Sequence, residues 1–128
     1  MSASSPIAAV VDVGSNSVRL LVARALSDAA FEVIDEERFD ARIGQGQVDG
    51  VLAPDGIARG IAAMRTVSQI AAAYKPSYFV AAGTDALRRA PNAAAFVGEV
   101  REQPGITVRI LSAREEAFAS FLGAVNST

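Results

Sequence analysis

Residues 10–22 restrict the fold more than any other part of the chain, because two apolar runs there are separated by a short polar turn. The first run contains Asp12, residues 14–17 read Gly-Ser-Asn-Ser, and the second run begins at Val18. This pattern is typical of a strand, a tight turn and a partner strand. Taken alone it favours a plain β-hairpin. The same turn is also suited to an anion-binding nest of N–H groups, with Asp12 placed to hold a divalent cation.

The remaining pattern predicts the order β-β-β-α-β-α-β-α. Strands are predicted at residues 7–13, 17–25, 31–40, 77–82 and 106–111. Helices are predicted from Pro54 to about residue 75, at residues 91–102 and at residues 112–125, with a turn or short helix at 84–90. Three consecutive strands followed by α–β alternation resemble the ribonuclease-H-like fold and each lobe of the actin-like proteins. We therefore expect an α/β domain whose mixed five-stranded sheet carries helices on its faces.

The composition limits the chemistry that this chain can perform. It has 128 residues, a net charge of −2, and neither histidine nor cysteine. Acid–base work then falls to Asp and Glu, and a metal site must use oxygen ligands, for which Mg²⁺ is a natural fit. The net charge offers no field that would attract DNA or RNA. No apolar stretch approaches the roughly 20 residues of a membrane span, and the N-terminus does not look like a signal peptide, so we expect a cytoplasmic protein with no membrane partner.

A second candidate segment follows the predicted strand at residues 77–82. Gly83 and Thr84 open a turn at the carboxyl end of that strand, where ligands bind in open α/β sheets. Free N–H groups there suit an anion, and Arg88 or Arg89 can add bidentate phosphate contacts. The alternative is a short helix with two solvated arginines, which these residues alone favour.

The third segment is the start of the last predicted helix. Ser112 and Glu115 have the spacing of a capping box, which gives Glu115 a structural role. Glu116 lies nearly opposite the apolar stripe of that helix, at 100° per residue. Its side chain is therefore free to face water or a cleft, and an isolated helix favours water.

These segments resemble the motifs of one family in order and in spacing. Residues 12–17 resemble the first phosphate-binding motif of the actin/Hsp70/sugar-kinase superfamily, in the Asp-x-Gly-Ser-Asn-Ser form of the exopolyphosphatase/guanosine pentaphosphate phosphatase (Ppx/GppA) family. Residues 82–92 are similar to the family's Ala-Thr-Ser-Ala-x-Arg-x-Ala motif, and residues 110–117 to its Ile-Ser-Gly-x-Glu-Glu-Ala motif. Residues 41–44 resemble its Arg-Leu-Gly. The chain departs from the pattern at Asp85, where the family has serine, and at Ala113, where it has glycine.

The resemblance implies a phosphatase that hydrolyses phosphoanhydride bonds of inorganic polyphosphate or guanosine pentaphosphate with Mg²⁺. It implies that Glu116 is the base that activates water and that Asp12 holds the metal. The implied phosphate-binding residues are Gly14, Ser15, Asn16, Ser17, Thr84, Arg88 and Arg42. It also implies a homodimer for the complete enzyme.

Family members have two lobes with the active site between them. Residues 1–111 resemble the N-terminal lobe, and residues 112–128 the start of the second lobe. The Asp-x-Gly-Gly-Gly-Ser loop of that second lobe does not occur in these 128 residues. We therefore expect weak phosphate or Mg²⁺ binding and negligible turnover from this chain alone.

Two alternatives remain at this stage. Asp85 places a carboxylate in a phosphate motif, which favours a non-catalytic module that binds a phosphorylated ligand or serves in assembly. A ribonuclease-H-like nuclease shares the fold but needs several converging carboxylates and a basic face. Asp12 and Glu116 are available, but no further acid is clearly placed at a strand end.

Overall fold

The computed structural model describes residues 6–27, 30–103 and 105–110. Its elements, in chain order, are β1 (Ile7–Val13), β2 (Val18–Ser27), β3 (Ala30–Phe39), α1 (Pro54–Ala72), β4 (Tyr78–Gly83), α2 (Asp85–Arg89), α3 (Ala93–Glu102) and β5 (Val108–Ile110). The predicted α/β fold is confirmed. The predicted helix at 112–125, which contains Glu116, lies outside the described residues.

All five strands form one mixed sheet in the order β3-β2-β1-β4-β5. Strand β2 is antiparallel to β1 and β3, whereas β1, β4 and β5 run parallel. The carboxyl ends of the three parallel strands therefore meet at one edge, at Val13, Gly83 and Ile110. The start of β2 and the end of β3 lie at the same edge, because Val18 pairs with Phe39. We call this side of the sheet the carboxyl edge.

The core lies between one face of the sheet and helices α1 and α3. Alternate residues of the first two strands are fully buried there, since successive side chains of a strand point to opposite faces: Ala9, Val11, Val13, Val18, Leu20 and Val22. Phe96 of α3 and Met64 of α1 are buried against them. The opposite face of the sheet carries Val10 and Val80, which are 40% and 50% exposed.

Helix α3 begins two residues later than the sequence pattern predicts, at Ala93 rather than Pro91. The side-chain amide of Asn92, the residue before the helix, does not cap it. It accepts a hydrogen bond from the N–H of Leu52 (2.9 Å) and donates one to the carbonyl of Leu52 (3.1 Å). This amide thereby holds the end of the 44–53 segment against the start of α3.

Tyr74, just after α1, ties that helix to the edge strand β3. Its hydroxyl donates a 2.6 Å hydrogen bond to the carboxylate of Asp35. That bond lowers the pKa of Asp35 and raises the pKa of Tyr74, because it favours the charged carboxylate and the neutral phenol. A hydrogen bond to the same carboxylate raises the pKa of Glu37.

We expect the Tyr74→Phe substitution to lower the free energy of unfolding more at neutral pH than at acid pH. Because the pKa of Asp35 is lower in the folded state, its bond with Tyr74 stabilises the fold fully at pH values above the pKa of the unfolded state. This stabilisation is lost as the pH falls through the folded-state pKa, which lies below 3.8. Urea unfolding of wild type and variant near neutrality and below pH 3.8 measures the difference. An equal loss at both pH values would show that the bond to Asp35 does not stabilise the fold.

Candidate functional site

Residues 14–17 form a tight turn at the carboxyl edge, between β1 and β2. The N–H of Gly14 donates to the carbonyl of Ser17 at 3.0 Å and closes the turn. The carbonyls of Ser15 and Asn16 each accept a hydrogen bond from the loop that follows β3. No backbone carbonyl of another described residue accepts a hydrogen bond from the N–H groups of Ser15, Asn16 or Ser17. The carbonyls of this turn are therefore engaged by the protein, whereas three adjacent N–H groups are open to an anion.

Residues 41–44, the loop after β3, hold the 14–17 turn. The N–H of Arg42 donates to the carbonyl of Asn16, and the N–H of Gly44 to that of Ser15, both at 3.0 Å. Arg42 adopts a left-handed conformation with φ of 50°, which is costly for a residue other than glycine. Its side chain is exposed. The structure thus brings predicted site residue Arg42 beside the turn through its own backbone.

Arg59 of α1 is a residue that the sequence reasoning missed. Its Nε donates to the carbonyl of Ala41 and its Nη2 to the carbonyl of Arg42, both at 2.8 Å. The only local signal was the pair of glycines four residues apart in α1, at Gly56 and Gly60. Such a pair permits another segment to approach the helix closely, and the segment here is the 41–44 loop.

Thr84 links the end of β1 to the start of α2 and is buried, with 8% of its surface exposed. Its N–H and its hydroxyl both donate to the carbonyl of Val13, at 3.0 and 3.4 Å. A Cβ on Gly14 would lie 3.7 Å from that hydroxyl oxygen, so the turn and Thr84 are neighbours. Arg88 follows one helical turn later, with its N–H on the carbonyl of Thr84 at 2.9 Å. Since the Thr84 hydroxyl donates to the backbone, its second interaction must be as an acceptor.

Asp12 is exposed on the face of the sheet opposite to the core. It pairs with Arg19 of β2 and with Ala82 of β4, and each of these residues is one position away from the carboxyl edge. Arg19 forms a 2.8 Å ion pair with Glu36 of β3. Among the described residues, no three acidic, histidine or cysteine side chains cluster as a metal site. A single carboxylate still fits Mg²⁺, which usually takes one or two protein carboxylates together with phosphate oxygens and water.

The structure brings together five of the predicted site residues, namely Gly14, Ser15, Asn16, Ser17 and Thr84, and places Arg42 beside them. Asp12 and Arg88 lie on the adjoining strand and helix. Glu116 falls outside the described residues. No helix in the described part of the chain is long and apolar enough to cross a membrane.

Comparison with known proteins identifies a family for this chain. The model of the Ppx/GppA phosphatase family matches residues 21–128. A solved Ppx/GppA family member from Aquifex aeolicus is 28% identical, covers 87% of this chain and superposes with a TM-score of 0.80. A solved exopolyphosphatase-like protein is also 28% identical, covers 98% of the chain and has a TM-score of 0.89.

An exopolyphosphatase from Cytophaga hutchinsonii shares the fold, with a TM-score of 0.83 over 88% of the chain at 20% identity. The matched part is 36% of the Aquifex and Cytophaga chains and 38% of the exopolyphosphatase-like one. The present chain therefore spans little more than a third of the length of these proteins.

Proposed function

Because this chain belongs to the Ppx/GppA phosphatase family, we propose that it forms one wall of an active site that hydrolyses phosphoanhydride bonds. The substrate would be inorganic polyphosphate or the 5′ phosphate of guanosine pentaphosphate. The second wall would come from a second lobe that begins at residues 112–128, and the complete enzyme would be a homodimer. The chain alone would bind phosphate weakly and would hydrolyse the substrate at a negligible rate. Phosphoryl transfer requires that the charge on the phosphate be neutralised from several sides.

The observation that carries this proposal is the hydrogen bonding of the 14–17 turn. Its carbonyls at Ser15 and Asn16 are held by the 41–44 loop, so they do not repel an anion. The N–H groups of residues 15–17 would then donate to phosphate oxygens. Thr84 lies beside Gly14 and would line the site there, and the absence of a side chain on Gly14 would let a ligand approach the backbone closely.

The other site residues would act around this turn. Arg42 and Arg88 would make charge-assisted hydrogen bonds to phosphate oxygens. Asp12 would hold Mg²⁺, directly or through water, and the metal when bound would neutralise phosphate charge. Glu116 would orient and deprotonate the attacking water. Because the protein is acidic overall, these local arginines and the metal must supply the attraction for a polyanion.

A second candidate is a regulatory module that binds a phosphorylated ligand without hydrolysis. The observation that favours it is Asp85, which stands at the first position of α2, directly after Thr84. An acidic residue at this position adds negative charge to a motif that would otherwise favour an anion. Binding of polyphosphate or guanosine pentaphosphate without hydrolysis in the two-lobed protein would support this module.

We expect Arg42→Gly to weaken binding of tripolyphosphate with Mg²⁺ by about tenfold or more, because a hydrogen bond to a charged group contributes about 1.5–3 kcal/mol. The free energy of unfolding should stay the same or rise by up to about 1 kcal/mol, because glycine relieves the left-handed conformation of Arg42. NMR titration of the 128-residue chain measures the affinity, and urea unfolding measures the stability.

Lys75→Gly is the matched control. Lys75 also has a φ of 50° and also carries one positive charge, but it precedes β4 and so lies at the sheet edge opposite to the carboxyl edge. This variant should bind tripolyphosphate as the wild type does. Equal weakening in both variants would point to non-specific charge attraction, and no binding by the wild type would contradict the proposed phosphate site.

A further inference from the structure

We infer that Arg59 is a positioning residue, which orients the 14–17 turn for phosphate without touching the phosphate itself. This inference rests on the proposed function, because it explains how the anion-binding form of that turn is maintained. Arg59 lies in α1, outside every motif that the sequence singled out.

The guanidinium of Arg59 bonds to the backbone of the 41–44 loop. Two of its nitrogens donate to consecutive carbonyls, those of Ala41 and Arg42, at equal distances of 2.8 Å. A planar fork can make both bonds at once, whereas the single ammonium of a lysine cannot reproduce the pair. No described carboxylate lies within ion-pair distance of Arg59. Its hydrogen bonds are thus committed to the loop backbone.

The peptide group that joins Ala41 to Arg42 connects Arg59 to the 14–17 turn. Its carbonyl accepts from Arg59, and its N–H donates to the carbonyl of Asn16. The guanidinium, this peptide and the Asn16 carbonyl therefore form one chain of hydrogen bonds, in which each bond polarises the next. Through this chain Arg59 strengthens the contact that keeps the Asn16 carbonyl turned toward the protein.

The left-handed conformation of Arg42 depends on its hydrogen bonds. A left-handed conformation costs roughly 1–2 kcal/mol for a residue with a Cβ, and it persists only where the surroundings determine it strongly. Three hydrogen bonds surround Arg42 here. Its carbonyl accepts from Arg59 at 2.8 Å and from the N–H of Gln45 at 3.0 Å, and its N–H donates to the carbonyl of Asn16. The Gln45 bond lies within the loop itself, so Arg59 is the contact that ties this carbonyl to helix α1. Without Arg59, we expect the loop to relax and the peptides of the turn to rotate, so that carbonyls compete for the face that an anion needs.

The test uses Arg59→Ala, Arg59→Lys and the control Arg65→Ala in the 128-residue chain. Arg65 lies on the same helix and makes one 3.4 Å bond to Gln103, so its loss removes the same charge from another part of α1. Hydrogen exchange of the Arg42 and Gly44 amides reports the loop directly. NMR titration with tripolyphosphate and Mg²⁺ reports the site.

We expect both Arg59 variants to speed exchange of these two amides and to weaken tripolyphosphate binding by about tenfold, with lysine no better than a partial rescue. Arg65→Ala should change neither. Unchanged exchange in Arg59→Ala would overturn the positioning role, and so would faster exchange with unchanged affinity. If the wild type does not bind tripolyphosphate, the proposed function fails, and the inference about phosphate fails with it; the exchange rates then still show whether Arg59 holds the loop.

Discussion

Glu116→Gln in a two-lobed enzyme that contains this chain is expected to lower kcat for tripolyphosphate hydrolysis by about 10²–10⁴-fold, the usual contribution of a general base. Glutamine keeps the size of the side chain but cannot accept the proton of the attacking water. Binding should remain, since the proposed phosphate contacts come from the 14–17 turn and from arginines. Phosphate release measures kcat, and titration of the inactive variant measures the affinity.

Glu115→Gln is the control for that experiment. The sequence assigns Glu115 to a capping box with Ser112, a role that glutamine also fills, so this variant should keep the helix start and leave kcat within a few-fold of the wild type. Equal losses of hydrolysis and binding in Glu116→Gln would instead indicate a structural glutamate. Unchanged hydrolysis would contradict the proposed mechanism outright.

Gly56→Ala is expected to lower the free energy of unfolding by about 1–2 kcal/mol, although alanine is the better helix former by up to about 1 kcal/mol. A Cβ at this position would lie 2.5 Å from the carbonyl oxygen of Ile43, which is backbone and cannot turn aside as a flexible side chain can. The 41–44 loop must therefore shift away from α1. We also expect faster hydrogen exchange at the Arg42 and Gly44 amides, because the shift loosens their bonds to the turn.

Gly98→Ala in α3 is the control, and we expect it to raise the free energy of unfolding. A Cβ there would meet no atom within 4 Å, so only the helix propensity changes, and the variant should be more stable by about 0.5–1 kcal/mol. Urea unfolding of the two variants compares them directly. A higher free energy of unfolding for Gly56→Ala would contradict the close contact between Gly56 and the carbonyl of Ile43.

The element order was predictable because it rests on local patterns. The apolar run predicted β1 at residues 7–13, and Pro54 marked the start of α1, both as observed. Within the described residues, strand β5 begins at Val108, two residues later than the pattern at 106–111 predicts, because its pairing with β4 begins there. The length of an edge strand depends on its partner, and a pattern within the strand does not contain that information.

The residues that hold the site together were less accessible to sequence reasoning. Arg59 and Asn92 act on backbone groups 17, 18 and 40 residues away, and neither stands in a local arrangement that predicts those partners. Thr84 was predicted as a phosphate ligand, and the structure adds that its hydroxyl donates to Val13. The phosphate-binding role of this residue stays a prediction.

The sequence by itself determined the order of strands and helices and the hairpin turn at residues 14–17, because both depend on residue type and local spacing. It also restricted the acid–base groups of this chain to Asp and Glu and its metal ligands to oxygen atoms, because the chain has no histidine or cysteine. Only the tertiary structure decided which way the peptide groups of that turn face. Their orientation depends on the N–H groups of Arg42 and Gly44, which lie at the carboxyl edge because β3 ends there. Arg59 bonds to the carbonyls of the same loop. Hydrogen bonds between distant segments require exact relative placement, and that placement is a property of the packed sheet and helices.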